Sequence, residues 1–108
     1  MKLIYVCSPF QGDVEKHIEE AKGHCSFIVA KGHLPLCVHL FLNEMTGMSE
    51  EKGQRQELLE LGKKYLMCCD EIWVFPKKTF SNPHHISEGM MGEIAFAEKL
   101  KLKVRMMS

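Results

Sequence analysis

The sequence is first narrowed by what it lacks. It has no surplus of charge: 14 lysines and arginines balance 14 aspartates and glutamates. The broad positive field of a non-specific nucleic-acid binder is therefore absent, and a nucleic-acid polymer is not an expected partner. No apolar run approaches the length needed to cross a bilayer, so no membrane partner is expected either. The early run Leu3 to Cys7 is short, follows only Lys2, and has no small-residue cleavage site behind it. It does not read as a secretory signal, and residence in the cytoplasm is the expectation. Cys7, Cys25, Cys37, Cys68 and Cys69 contain no CxxC spacing, and the histidines contain no HxxxH. Neither a metal site nor a disulfide framework is expected from such spacing, and nothing calls for a cofactor. There is no internal repeat and no low-complexity tract.

What remains is ordinary for one globular domain, 1–108, with a single core: 108 residues, 45% apolar and 26% charged. Leu3 to Cys7 is apolar without alternation, as suits a strand covered on both faces. A turn follows, and Asp13 is placed to cap a helix running to about Lys31, with Val14, Ile18, Ala21, Cys25 and Ile28 at helical spacing. Gly32 then stops it. A second strand is expected from Leu34 to about Leu40, with His39 near its end. Asn43 to Gly53 reads as a polar loop or lid. A helix from about Glu50 to Cys68 would turn Leu58, Leu61, Tyr65 and Leu66 inward. The third strand is expected at Glu71 to Phe75. Ser87 is placed to cap a last helix to about Lys101, and Lys103 to Met106 reads as a fourth strand.

The alternation βαβαβαβ with unrelieved apolar strands predicts an α/β fold, a three-layer sandwich around a short parallel sheet of four to five strands. Right-handed crossovers place every strand-to-helix loop at one edge, and ligands of such sheets bind beyond the carboxyl ends of the strands. That edge gathers Tyr5, Ser8, Phe10, Gly12 and Asp13 from the first loop, His39 from the second, and Ser87 and Gly89 from the last. Helix N-termini there favour an anionic group.

One residue stands out of pattern. Projected at about 100° per residue, Glu93 falls inside the apolar arc formed by Met90, Ile94, Phe96, Ala97 and Leu100. A carboxylate there must be paired, hydrogen-bonded or facing a cavity, and such tuned acids concentrate in active sites. The alternative is a solvated margin at a slightly rotated helix. Gly89 and Gly92 each weaken that helix by about 1 kcal/mol relative to alanine, which suits either tight packing on the sheet or close approach of a ligand.

Three blocks in order resemble the nucleoside 2-deoxyribosyltransferase-like family, nearest to its small bacterial and phage members. They are Leu3-Ile4-Tyr5-Val6-Cys7-Ser8-Pro9-Phe10 with Gly12-Asp13, then Cys69 to Phe75, then Ser87-Glu88-Gly89-Met90-Met91-Gly92-Glu93, which matches a Ser-x-Gly-x-x-x-Glu signature. The resemblance implies a flavodoxin-like fold, assembly as a homodimer or higher homo-oligomer, and a small nucleoside or nucleotide as partner. It implies cleavage or transfer at the N-glycosidic bond of a 2′-deoxynucleoside or its 5′-monophosphate. Glu93 then matches the nucleophile, Tyr5 the residue that positions it, and Ser87 and Gly89 the loop near the sugar 5′ group. Asp70, at the start of the third strand, reads as structural. One position departs from the pattern. Gly62 stands where the characterised enzymes carry an acid that helps protonate the leaving base, and Glu57 and Glu60 lie nearby without an assigned place. The alternative function is accordingly a nucleotide-binding or sensing module without catalysis, and a plainer one is an interaction domain with no small ligand.

Overall fold

The computed structural model describes residues 1–9, 14–48, 52–77 and 85–107. The elements run β1 (Leu3–Cys7), α1 (Val14–Ala30), β2 (Leu34–Leu36), α2 (Val38–Thr46), α3 (Arg55–Leu66), β3 (Glu71–Val74), α4 (Glu88–Lys99) and β4 (Lys103–Met106). The four strands form one parallel sheet in the order β2-β1-β3-β4, the flavodoxin-like arrangement in which the chain reverses direction between β1 and β3.

Strand periodicity assigns the two faces. Tyr5 and Cys7 of β1, with Ile72 and Val74 of β3, point to one side. There they meet Val38 and Leu42 of α2, Leu58 and Leu66 of α3, and Met90 and Ala97 of α4. Ile4, Val6, Trp73 and Phe75 point to the other side, against Ala21 and Ile28 of α1. Because both faces are covered, β1 and β3 are buried almost throughout, which explains their unbroken apolar runs. The edge strands are different: β2 contains Pro35, and β4 carries Lys103 and Arg105 and is largely exposed.

Three expectations are corrected. The second strand ends at Leu36, not Leu40, and Cys37 is the extended residue that opens α2. The run Val38-His39-Leu40-Phe41-Leu42 has strand composition, but Val38 and Leu42 are the buried positions, a spacing that fits a helix turn. His39 therefore lies on the first turn of a helix. The first four residues of the expected loop, Asn43 to Thr46, are helix as well, and the helix is capped by Gly47, which takes the left-handed conformation with φ 73°. Finally, α3 begins at Arg55, after Gly53 (φ 73°), and its inner stripe is Leu58, Gly62 and Leu66, with Leu61 exposed. Elsewhere Ser87 caps α4 as expected, accepting from the Met90 N–H at 3.3 Å. Asp70 accepts from the Leu3 N–H at 2.8 Å, a structural tie between β3 and β1. The expected cap Asp13, with Phe10 and Gly12, lies outside the described residues. Among the described residues no helix is long and apolar enough to cross a membrane, and no group of three metal-binding side chains occurs.

Glu71 is buried, and its charge is fully answered. Lys2 Nζ lies 2.7 Å from Oε2, and Trp73 Nε1 donates to Oε1 at 2.9 Å. The hydrogen bonds from Lys2 and Trp73 hold its carboxyl below the ordinary value. Glu71→Ala strands the buried indole N–H, and a loss of about 2 kcal/mol is expected by urea unfolding near neutral pH. With a depressed folded pKa, the contribution is present above the ordinary carboxyl range and disappears as pH falls through the lowered value. A variant as stable as wild type near neutrality would refute this account.

Candidate active site

The site is built on the paired centre of the sheet. Tyr5 and Cys7 are two apart on β1 and so project from the same face, towards α4. Glu93 lies between the buried positions Met90 and Ala97 of α4, on the face that meets them. The Tyr5 hydroxyl donates to Glu93 Oε2. The Cys7 thiol approaches Glu93 Oε1 at 3.7 Å and the Met90 carbonyl at 3.8 Å. From the first turn of α2, His39 Nε2 stands 3.9 Å from Glu93 Oε2. The Glu93 side chain is 12% exposed, and burial pushes its carboxyl above the ordinary value. The nearby His39 imidazole and the Tyr5 and Cys7 donors oppose that push. Burial and the adjacent carboxylate raise the Tyr5 phenol and the Cys7 thiol, so both remain protonated donors.

A cavity of about 330 Å³ opens beside this carboxylate, within the range of small-molecule sites. Glu93 and Gly92 line it from α4 and His39 from α2, while Leu58, Leu59 and Leu66 make an apolar wall on α3. Gln56, Glu60 and Lys63 add polar groups to the same wall. Gln56 Nε2 donates to Glu60 Oε1 at 3.4 Å, and Lys63 Nζ lies 3.8 Å from Glu60 Oε1. The arrangement joins a buried, hydrogen-bonded carboxylate to an open hollow of mixed polarity. It can direct an oxygen nucleophile, or a proton acceptor, at a bound molecule.

Of the candidates named from sequence, Tyr5, His39 and Glu93 come together. Ser8 is buried just past the end of β1. Ser87 and Gly89 open α4 but do not line the cavity. A Cβ placed on Gly89 or Gly92 meets no described atom within 4 Å, which removes tight packing on the sheet as the reason for either glycine.

Sequence reasoning missed three participants. Cys7 stands in the apolar run that reads as a strand covered on both faces, and its spacing from Tyr5 puts both on one of them. Glu60 had no assigned place, and it stands on the cavity wall. Gly62 read as a missing acid. A Cβ there would lie 3.2 Å from the Tyr5 hydroxyl, so the glycine makes room for the group that holds Glu93. A glycine in the middle of the stripe Leu58, Gly62, Leu66 was the available signal.

A family model described as "Domain of unknown function (DUF7768)" matches residues 2–107. No curated protein matches the chain. Among solved structures, a 2-desoxiribosyltransferase from Leishmania mexicana is similar over 100% of this chain with a TM-score of 0.71 and 14% identity. The chain spans 65% of that protein's length, just under two thirds. A 2-deoxyribosyltransferase from the psychrotolerant bacterium Bacillus psychrosaccharolyticus is similar over 96% of this chain and 70% of its own, with a TM-score of 0.67 and 16% identity. At these identities the likeness is one of fold, and at that level it agrees with the flavodoxin-like architecture expected from sequence.

Proposed function

The chain belongs to the DUF7768 family, and from the geometry of its cavity we propose that it breaks the N-glycosidic bond of a 2′-deoxynucleoside or its 5′-monophosphate. The observation that carries this reading is the Glu93 carboxylate, held by Tyr5 and Cys7 at the wall of an open hollow. The two 2-deoxyribosyltransferases of the same fold support the choice of substrate class.

In the first step a Glu93 carboxylate oxygen attacks the anomeric carbon. A C–O bond forms, the C–N bond breaks with its electron pair going to the base nitrogen, and the base leaves as it gains a proton. The product is a deoxyribosyl ester on Glu93. Water, or a second base, then attacks the same carbon, the ester C–O bond breaks and the carboxylate is restored. Two displacements replace one difficult step, as in retaining glycosidases. Tyr5 and Cys7 hold the carboxylate on line, and burial keeps it poorly solvated and reactive. His39 is too close to Glu93 to stand across the anomeric carbon, where retaining enzymes place their acid about 5 Å from the nucleophile. Glu60, which lines the cavity from α3, is the side chain we assign to pass a proton to the departing base.

The test incubates the protein with a panel of 2′-deoxynucleosides and their monophosphates, follows free base by chromatography, and looks for a deoxyribosyl adduct on the Glu93 peptide by mass spectrometry. Base release with the adduct is the expected result, and an inert protein across the panel overturns it. Calorimetric binding without release would instead make the chain a nucleotide-binding module, the reading an acid-less position 62 favours. Glu60→Gln is expected to slow release from natural deoxynucleosides about 10²-fold. The loss should vanish with a nitrophenyl 2-deoxyriboside, whose leaving group needs no proton. An equal loss on both would remove Glu60 as the donor.

A further inference from the structure

The outer surface of α2 and α3 carries an apolar strip. Phe41 and Met45 stand one turn apart on α2, and both are exposed. Leu61 of α3 is exposed as well. Tyr65, one turn further along α3, meets the Phe41 ring edge-on, with 6.3 Å between centroids. Exposed apolar side chains scattered singly need no explanation, but these adjoin one another across two helices. Beside Leu61 the surface dips into a hollow of about 450 Å³, walled by Met48, Gln56, Glu57, Glu60 and Leu61. We propose that two copies of this chain pair on this face, about a twofold axis that sets α3 antiparallel to the partner's α3.

The charges of α3 select a second copy as the occupant. Projected at about 100° per residue, Leu61 has Tyr65 on one flank and Glu57 and Lys64 on the other. Glu57 and Lys64 also stand equally far from the midpoint of the helix, Arg55–Leu66. A second α3 laid end for end therefore brings each Glu57 to the partner's Lys64, twice in one contact, with both Leu61 side chains near the axis. That reciprocity is what a twofold interface demands. Among the described residues no ion pair inside the chain engages Glu57 or Lys64, whereas Glu60 and Lys63 already pair at 3.8 Å. Antiparallel helices also bring opposite dipole ends together.

The hollow fits the same arrangement. Met48 and Leu61 give it an apolar lining, and Glu57 stands at its wall. The partner's Lys64 can lay its methylene stem on that lining while its ammonium reaches Glu57. On the other flank, Phe41, Met45 and Tyr65 face the same strip of the partner, which takes apolar surface out of water. A partner of uniform charge would meet either Glu57 or Lys64 with a like charge; a second copy meets both with opposite ones. The pairing is independent of the proposed function, since it needs neither a bound nucleoside nor turnover.

The test is sedimentation velocity on the whole chain as its concentration rises through the micromolar range. The mass is expected to move from the 12.4 kDa of one chain to twice that value. Glu57→Lys and Lys64→Glu, each alone, set like charges together at both contacts, and each should raise the dimer dissociation constant about tenfold. Mixed in equal amounts, the two variants regain both opposite-charge contacts, so a mixed dimer close to wild-type strength is expected. Leu61→Asp should abolish the dimer. All three positions are exposed, so the fold should be kept, which circular dichroism checks. A wild-type chain that stays monomeric overturns the pairing and leaves this face to a different protein. A dimer indifferent to these substitutions, or variants that fail to recover on mixing, overturns the antiparallel contact.

Discussion

Glu93→Gln is expected to lower base release by on the order of 10⁴-fold while raising the melting temperature near neutral pH. The activity loss follows from removing the carboxylate oxygen that forms the ester in the proposed reaction, while the isosteric amide preserves shape. The stability gain follows from the direction of the Glu93 shift. Burial raises its carboxyl, against the opposing pull of His39, Tyr5 and Cys7. The folded protein therefore binds this proton more tightly than the unfolded chain does. Wild-type stability is fully present below the ordinary carboxyl range and declines as pH rises through the raised value. Glutamine has no charge to bury, so its advantage should be largest above that window and fade below the ordinary range. A gain of about 4 °C near neutrality is expected from thermal melts. A variant that still releases base, or that melts below wild type near neutrality, would remove Glu93 from the centre of the site.

Placing an acid at position 62 should lower the proposed base release. Gly62→Asp is expected to reduce base release by about 10³-fold, and Gly62→Ala by about tenfold, although the helix itself gains from either the smaller entropy cost or, with alanine, roughly 1 kcal/mol of propensity. The reason is local. A Cβ stands 3.2 Å from the Tyr5 hydroxyl, which is already committed to Glu93. Displacing that hydroxyl by a few tenths of an ångström misaims the carboxylate, and aspartate adds a second negative charge beside it. A double-mutant cycle separates the explanations. In a Tyr5→Phe background no hydroxyl remains to be displaced, so Gly62→Ala should add almost no further loss. Strictly additive effects would mean that Gly62 acts independently of Tyr5.

The fold was legible in the sequence where burial is two-sided. β1 and β3 read correctly because central parallel strands need unbroken apolar residues, and the helices beside them carry clear stripes or caps at Ile28 and Ser87. The second strand was misread because Val38 to Leu42 suits either a strand or a short buried helix, and only packing against β1 and α3 decides. Glu93 was legible as an acid inside an apolar arc. His39 was found for its place at the ligand edge, although the element bearing it was wrong. Glu60 and Cys7 were not legible as site residues: one depends on how α3 is rotated over the sheet, the other on a partner 86 positions away.

The two margins of the sheet restrict how copies of this chain can associate. At one margin Pro35 offers no amide hydrogen to an incoming strand. At the other, Lys103 and Arg105 would bring like charges face to face if two copies aligned there. A continuous intermolecular sheet is disfavoured on both sides, so self-association would have to proceed through helical surfaces.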